Sequence, residues 1–361
     1  MKKAKSNVQA DAAADDGRQE PCHFLIIIPA YREDAVILPT ARAALQQQYP
    51  QGHFTVAVVS DHQQEATNRA LAKLPLTLLL PHFEKSSKAR ALQYAVAHTT
   101  SRYDYAVILD ADNIVRPDFL CQLDTVCRHG HSAIQCHRTA KNSDGHVAML
   151  DGLSEEINNT VFRRGHNRVG LSAALIGSGM CFSYDWFSKH VGGLQTAGED
   201  RELEKMLLTE GVHIHYAEHI HVMDEKVASS SGFQQQRLRW MSAQLQSLLA
   251  LLPGCRAALL HGNIDYIDKT LQQALIPRSM LLVLLPVASA VVTLFSPPAS
   301  VKWWCLTTVF CLSLLAALPK PMRNMRAFAA LVKLPALVGL LLRNISHLDR
   351  HNRDFIHTQH T

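Results

Sequence analysis

The chain has 361 residues, 47% of them apolar, with a formal net charge of +5 and eight cysteines, which is enough for a full core in one large domain or two ordinary ones. From Pro319 to Thr361 there are seven Lys or Arg against two Asp, so the excess charge belongs to the tail that follows the most apolar part of the chain. It reads as a membrane flank rather than a nucleic-acid surface, and the cysteines, without Cys-x-x-Cys spacing, read as reduced thiols rather than a disulfide frame.

Residues 1–22 are polar and of low complexity, without the apolar core of a signal peptide. They predict a disordered tail on a protein facing the cytosol. Between His23 and Arg138 short apolar runs alternate with stretches long enough for crossover helices. Phe24 to Pro29, Phe54 to Ser60, Leu76 to Leu80 and Tyr105 to Asp110 have the length and β-rich composition of buried strands. Leu38 to Gln48, Gln63 to Leu74 and Ser87 to His98 lie between them as helices. That alternation predicts a mostly parallel, doubly wound α/β sheet, with ligands at the carboxyl ends of the strands. Those ends carry Tyr31 and Glu33, then Asp61, then Asp110 and Asp112. An Asp at a strand end also caps the following helix, a reading that competes for Asp61. Cys127, His129, His131, Cys136 and His137 resemble a metal cluster only in spacing, because Cys136 and His137 alternate across a strand running from Ala133 to Arg138.

Residues 139–254 form a second, more polar half, with residues 23–138 as the first. The second half holds Gly177-Ser178-Gly179-Met180, Gly198-Glu199-Asp200 and Gln236-Arg237-Leu238-Arg239-Trp240. A linker over 255–278 leads to two uncharged runs, Ser279 to Phe295 and Trp303 to Leu318. At 1.5 Å per residue each is about 25 Å long, close to the roughly 30 Å hydrocarbon thickness of a bilayer. A transmembrane hairpin over 279–318 is predicted, with Arg278 and Lys320 on the cytoplasmic side and Trp303 and Trp304 at the far interface. A buried hairpin in a soluble domain is the competing reading, and Pro286 favours it. Ala327 to Leu342 reads as an interfacial helix within the basic tail, 319–361.

The polar motifs suit sugar transfer from a nucleotide donor. Asp110 and Asp112 offer hard oxygen ligands to Mg2+ or Mn2+ shared with phosphate oxygens, Asp112 as direct ligand and Asp110 toward ribose or metal. Lys88 and Arg90 open a helix whose N-terminus favours an anion, although both also suit a solvated helix surface. Asp200 is the candidate general base, with capping of the helix from Arg201 to Thr209 as its alternative role. Gln236, Arg239 and Trp240 share one helix face, where a guanidinium bridges a diphosphate and an indole stacks on a sugar. An amphipathic helix with Trp240 buried is the plainer account of the same spacing.

Taken together, IIIPAYRE from Ile26, VVSD ending at Asp61, ILDAD ending at Asp112, GSGM, GED and QRLRW resemble the membrane-associated family 2 inverting glycosyltransferases, the group of cellulose, chitin and hyaluronan synthases. The resemblance spans residues 23–318. It implies a GT-A nucleotide-sugar-binding domain, a UDP-sugar donor, a divalent metal and inversion at the anomeric carbon. By position, Tyr31, Glu33 and Asp61 would flank uracil or ribose, Lys88 the phosphates, and Asp110 and Asp112 the metal. Asp200 would be the base, Gly177 and Ser178 would lie at the acceptor terminus, and Gln236, Arg239 and Trp240 would close the two sites. The acidic triplet reads Gly-Glu-Asp where the large synthases show Thr-Glu-Asp, and the chain carries two predicted membrane helices where they have several.

The expected activity is transfer of a hexose or N-acetylhexosamine to a glycan or lipid-linked acceptor at the cytoplasmic face of the inner membrane. Processive synthesis with a partner protein supplying a channel stands as one alternative. Nucleotidyl transfer and a non-catalytic sugar-nucleotide-binding membrane protein stand as others.

Overall fold

The computed structural model describes residues 20–343 except 142–144, 197, 226–229 and 333. The predicted tail up to residue 19 and the basic tail from 344 lie outside the described residues. Glu20 to Cys22 already belong to the folded part, since Cys22 is buried and its N–H donates to Asp124 Oδ1 at 3.0 Å.

Eight strands form one sheet in the order β3-β2-β1-β4-β7-β6-β8-β5. β1 (Phe24–Tyr31), β2 (Phe54–Asp61), β3 (Thr77–Leu79) and β4 (Tyr105–Ile108) run parallel, and the Phe24–Ile28 stretch of β1 is fully buried. Helices cover both faces, as a parallel sheet requires. The crossover helices are α1 (Ile37–Leu45), α2 (Glu65–Leu71) and α3 (Lys88–His98), the last capped by Ser87, whose Oγ accepts from Arg90 N–H at 3.2 Å. These elements fall where hydrophobic periodicity places them, within a few residues at each end.

The second half closes the sheet less predictably. β5 (Ile114–Val115) is followed by α4 (Phe119–Cys127), β6 (Ala133–Ala140) and α5 (His146–Asn158), which runs into a π-helical turn, Asn159–Gly165. Next come β7 (Met180–Ser183), α6 (Tyr184–His190), α7 (Glu199–Thr209) and the long strand β8 (Ile214–Asp224). β7 is antiparallel to β4 and to β6, whereas β6 and β8 are parallel with an irregularity between Cys136 and His137. β5 pairs antiparallel with the end of β8, Ile114 opposite Met223. Hence the residue after Met223 arrives beside the loop that follows β4.

Seven α-helices follow among the described residues: α8 (Ser230–Leu251), α9 (Cys255–His261), α10 (Ile264–Ala274), α11 (Arg278–Phe295), α12 (Pro297–Ala317), α13 (Met325–Val332) and α14 (Leu334–Arg343). α11 and α12 form the predicted hairpin, with Pro286 accommodated inside α11. Polar contacts tie the two helices together, Ser289 Oγ to Thr307 Oγ1 at 2.9 Å and Trp304 Nε1–H to Thr293 Oγ1 at 3.0 Å. Their outward sides are apolar and exposed, including Leu294, Phe295, Val309 and Leu312. By length and composition three helical stretches among the described residues are apolar enough to cross a membrane, α11, α12 and Gln236–His261, one more than the sequence reading counted. The additional one is harder to see in a hydropathy pattern because its first residues are the polar Gln236, Arg237 and Arg239. α13 and α14 bury Ala327, Ala330, Leu334 and Val338 in clusters with Leu150 and Leu153 of α5, leaving Met325, Phe328 and Val332 exposed.

Gly179 enters β7 at φ +63, and a Cβ there would stand 3.0 Å from Val222 Cγ2 and 3.3 Å from Cys136 Cβ. Gly179→Ala is expected to cost about 1–3 kcal/mol from the left-handed backbone alone, read as a lowered melting temperature in detergent. A variant melting at the wild-type temperature would refute this account of the glycine.

Candidate active site

The ends of β1 and β2 are in register, Tyr31 beside Asp61, and the next residues, Arg32 and His62, both adopt left-handed backbone at φ 55 and 56. That conformation is strained for residues with a side chain and turns both chains sharply at the sheet edge. Asp61 is buried and contacts His62 Nδ1 at 2.6 Å, while the His62 ring meets Tyr31 edge-on at 5.6 Å and the Arg32 guanidinium sits 5.2 Å from the Tyr31 centroid. This corner is a mixed aromatic and acidic wall at the end of the cleft.

Beside it lie three carboxylates. Asp110 and Asp112 follow β4, Asp224 ends β8, and each places an oxygen within 4.8 Å of the others. Asn113 holds the group together. Its Nδ2 donates to Asp112 Oδ1 and Asp224 Oδ1, both at 3.2 Å, and its Oδ1 accepts from Asp110 N–H at 3.0 Å and from the Ser178 hydroxyl. Glu225 N–H donates to Asp112 Oδ2 at 3.0 Å. Burial, then the charges of Asp224 and Asp110, push Asp112 well above the usual carboxylate range. Burial and the charges of Asp112 and Asp110 likewise push Glu33 up to about 8. Like charges crowded away from water raise each other's proton affinity, and a divalent cation relieves that repulsion. The donor set is entirely hard oxygen, which suits Mg2+ or Mn2+.

On the other side of Asp110 stands Lys88. Its Nζ pairs with Asp110 Oδ1, donates to Gly177 O at 2.7 Å and lies 3.3 Å from Glu199 Oε1. Burial opposes the ammonium charge, but Asp110, Glu199 and Asp200 outweigh it and raise its proton affinity. Glu199 is pushed up to about 7 by burial, which Lys88 opposes and Asp200 reinforces. Gly177, at φ +82, lies at the junction: a Cβ there would be 3.7 Å from Lys88 Nζ and 3.8 Å from Asp200 Oδ2. Asp200 sits in the first turn of α7, its Oδ1 accepting from Arg201 N–H at 2.8 Å, and its carboxylate lines the cleft.

α7 is fastened from behind. Glu204 and Lys269 of α10 form a buried pair at 2.5 Å, and Arg201 Nη1 donates to Gln273 Oε1 at 2.6 Å. The far wall comes from α8, whose Gln236, Arg239 and Trp240 all face the cleft. Arg237 reaches the other way, to Asp151 Oδ1 of α5 at 3.0 Å, with its guanidinium 4.8 Å from the Trp240 ring. The whole cavity measures about 1010 Å³ and extends from Tyr31 to Phe310 and Leu314 of α12.

Tyr31, Glu33, Asp61, Lys88, Asp110, Asp112, Gly177, Asp200, Gln236, Arg239 and Trp240 therefore share one cavity. Ser178 differs from expectation: its side chain is fully buried behind the cleft and supports Asn113 and Asp110 rather than facing an acceptor. Arg90 is exposed and donates to Lys85 O at 3.1 Å, in keeping with a solvated helix-surface charge. Asp224 and Asn113 are absent from the sequence reading. Asn113 directly follows the Asp-x-Asp and was open to recognition there, whereas Asp224 lacks a local signal because only the β5–β8 pairing brings it in.

A transferase acting on nucleotide-activated sugars is the class this sheet edge and carboxylate cluster define. A family model for glycosyltransferase-like family 2 matches residues 21–243, more than half of the chain. The protein belongs to that family, and its α/β domain is GT-A-like. It is 24% identical over 310 residues to an N-acetylglucosaminyltransferase of Rhizobium meliloti (strain 1021), covering 80% of this chain and 70% of the relative. Similar solved structures include the mannosyltransferase PcManGT from Pyrobaculum calidifontis in complex with GDP-Man and Mn2+, at 18% identity and TM-score 0.48 over 83% of this chain and 86% of that one. S. aureus TarS 1-349 in complex with UDP-GlcNAc is 14% identical, with TM-score 0.46 over 89% of this chain and 92% of that one.

Asp224→Asn, which keeps the side-chain shape, is expected to weaken Mn2+ binding by about 10- to 100-fold or more, measured by isothermal titration. Unchanged affinity would remove Asp224 from the cation site. The raised Glu199 group carries a pH dependence. Its stabilising contribution is complete below about pH 4.5, its ordinary value, and is lost as pH climbs through about 7. In Lys88→Met burial acts on Glu199 without the opposing cation, so its carboxylate band in an infrared titration should appear at higher pH than in the wild type.

Proposed function

We propose that the protein is an inverting, metal-dependent N-acetylhexosaminyl- or hexosyltransferase that uses a UDP-sugar and serves a glycan or lipid-linked acceptor at the cytoplasmic face of the inner membrane. One observation carries the reading. Lys88 Nζ joins Asp110 to the Gly177 carbonyl, and a Cβ on Gly177 would stand 3.8 Å from Asp200 Oδ2, so a donor diphosphate at Asp110, Asp112 and Asp224 presents its sugar toward Asp200.

Tyr31, Glu33 and Asp61 line the end of the cleft where the nucleoside fits. Asp110, Asp112 and Asp224 would hold Mg2+ or Mn2+, which would supply positive charge to the diphosphate and make UDP a better leaving group. Asp200 accepts the proton of the acceptor hydroxyl as its oxygen bonds to the anomeric carbon. The bond from that carbon to the UDP oxygen breaks, and UDP leaves with the electron pair. Attack from the face opposite the leaving group inverts the centre. Arg239 supplies positive charge facing the diphosphate, and Trp240 offers an apolar plane to a sugar ring.

The relative named as an N-acetylglucosaminyltransferase favours UDP-N-acetylglucosamine as donor. Membrane attachment is supported by the hairpin and by the exposed Leu259, Leu260, Ile264, Leu271 and Ile276, which continue its apolar surface onto α9 and α10.

Purified in detergent with Mn2+, the full chain is expected to release UDP from UDP-N-acetylglucosamine when acceptor is present. Asp200→Asn should still bind UDP while losing about 10²- to 10⁴-fold in transfer. Wild-type turnover in that variant would sink the assignment of the base.

A further inference from the structure

The donor chemistry uses only part of the cavity. Its other end is lined by four guanidiniums, Arg138, Arg163, Arg237 and Arg278. Glu155 serves two of them, Arg138 at 3.0 Å and Arg163 at 3.1 Å, and Asp151 serves Arg237 at 3.0 Å. Asp224, 3.7 Å from Arg138, belongs to the carboxylate cluster. Among the described residues Glu155, Asp151 and, more distantly, Asp224 supply ion pairs to these four largely buried cations, a low share of negative charge for such an environment.

The deficit is sharpest at Arg278. Its Nη2 donates to the neutral Asn158 side chain and its guanidinium lies 5.3 Å from the Phe162 ring, but its Nη1 is buried with no hydrogen-bond partner. Among the described residues no carboxylate forms an ion pair with it, and Glu155 acts on it only through its charge. The residue opens α11, so the positive end of an apolar helix also faces this part of the cavity. Immediately beyond are Met280, Leu281, Phe310 and Leu314 of the hairpin. One cavity therefore holds, in order, a base that takes a sugar hydroxyl, a cationic station with an open donor, and an apolar exit toward the membrane helices.

We infer that Arg278 and Arg237 bind the phosphate or diphosphate that joins the sugar of a lipid-linked acceptor to its hydrocarbon chain. The inference rests on the proposed transferase function and narrows its acceptor to a lipid-phosphate glycoside. In this arrangement the chain lies against Met280, Leu281, Phe310 and Leu314, the guanidiniums neutralise the phosphate, and the sugar reaches Asp200 with its hydroxyl forward. Arg237 and Arg239 project in different directions from α8, being two residues apart on a helix. The first serves acceptor phosphate while the second faces the donor, so the two diphosphates of the reaction stay apart.

The test uses the full chain in detergent with UDP-N-acetylglucosamine and three acceptors: a short-chain polyisoprenyl diphosphate N-acetylglucosamine, an alkyl N-acetylglucosaminide of matched length without phosphate, and chitobiose. The diphosphate acceptor is expected to exceed both others in kcat/KM by about tenfold or more. Arg278→Gln should erase that preference mainly through acceptor KM, and Arg278→Lys, which keeps the charge but loses the planar fork, should recover part of it. Equal use of all three acceptors by wild-type enzyme that releases UDP overturns the subsite and leaves the proposed function standing. Absence of UDP release from every UDP-sugar and acceptor defeats the underlying function instead. If phosphatidylglycerol nanodiscs stimulate transfer to all three acceptors alike, and Arg278→Gln abolishes only that stimulation, the anion is a membrane headgroup and the acceptor assignment is overturned.

Discussion

Charge balance inside one closed cleft is the constraint on which the site depends. Asp110, Asp112 and Asp224 meet where water is scarce, and Glu33 and Glu225 stand close enough to add to the repulsion. Lys88 answers Asp110 from one side, and Asn113 bonds the Asp112 and Asp224 carboxylates and the Asp110 backbone N–H without adding charge. A side chain that is neutral, buried and bonded to all three acidic residues is what keeps such a cluster from splaying apart. The remaining excess of negative charge is the property a divalent cation and a diphosphate exploit together, because the cation satisfies both.

The same accounting has the opposite sign at the far end of the cavity. There the guanidiniums outnumber their acidic partners, and an anion restores the balance. A cleft negative at one end and positive at the other orients a reaction between two phosphorylated molecules. In the proposed function the carboxylate end takes the donor, and in the inference built on it the guanidinium end takes the acceptor phosphate. Arg138 joins the two regions, paired with Glu155 on one side and near Asp224 on the other.

The apolar helices after the catalytic domain are mechanically joined to Asp200, the proposed base. α10 presents Ile264 and Leu271 outward and turns Tyr266, Lys269, Thr270 and Gln273 inward. Lys269 and Gln273 grip α7 through Glu204 and Arg201, one turn from Asp200. Gln244 of α8 donates to the carbonyls of Gln273 and Leu275 at 3.0 and 2.8 Å, so the helix bearing Arg239 and Trp240 is held by the same segment. A buried ion pair is costly to break from one side, which makes this coupling stiff.

How much was legible in the chain follows from the range of each interaction. Buried parallel strands announce themselves by short runs of β-branched residues, so β1 to β4, their crossover helices and the strand-end Tyr31, Asp61, Asp110 and Asp112 were readable locally. The hairpin was readable for the same reason, since hydrophobic length is a property of consecutive residues. Asp224 was not, because its role comes from a two-residue strand, β5, pairing with residues more than one hundred positions later. Ser178 was misplaced because a motif names a neighbourhood while the backbone decides which way each side chain turns, and here it turns into the core. The amino-acid order alone determined the parallel half-sheet, the acidic strand ends and the apolar hairpin, each encoded within a few turns of chain. Tertiary structure alone decided the third carboxylate, the grip of α10 on α7 and the unmatched Arg278, because those depend on packing segments whose separation in sequence leaves no periodic trace.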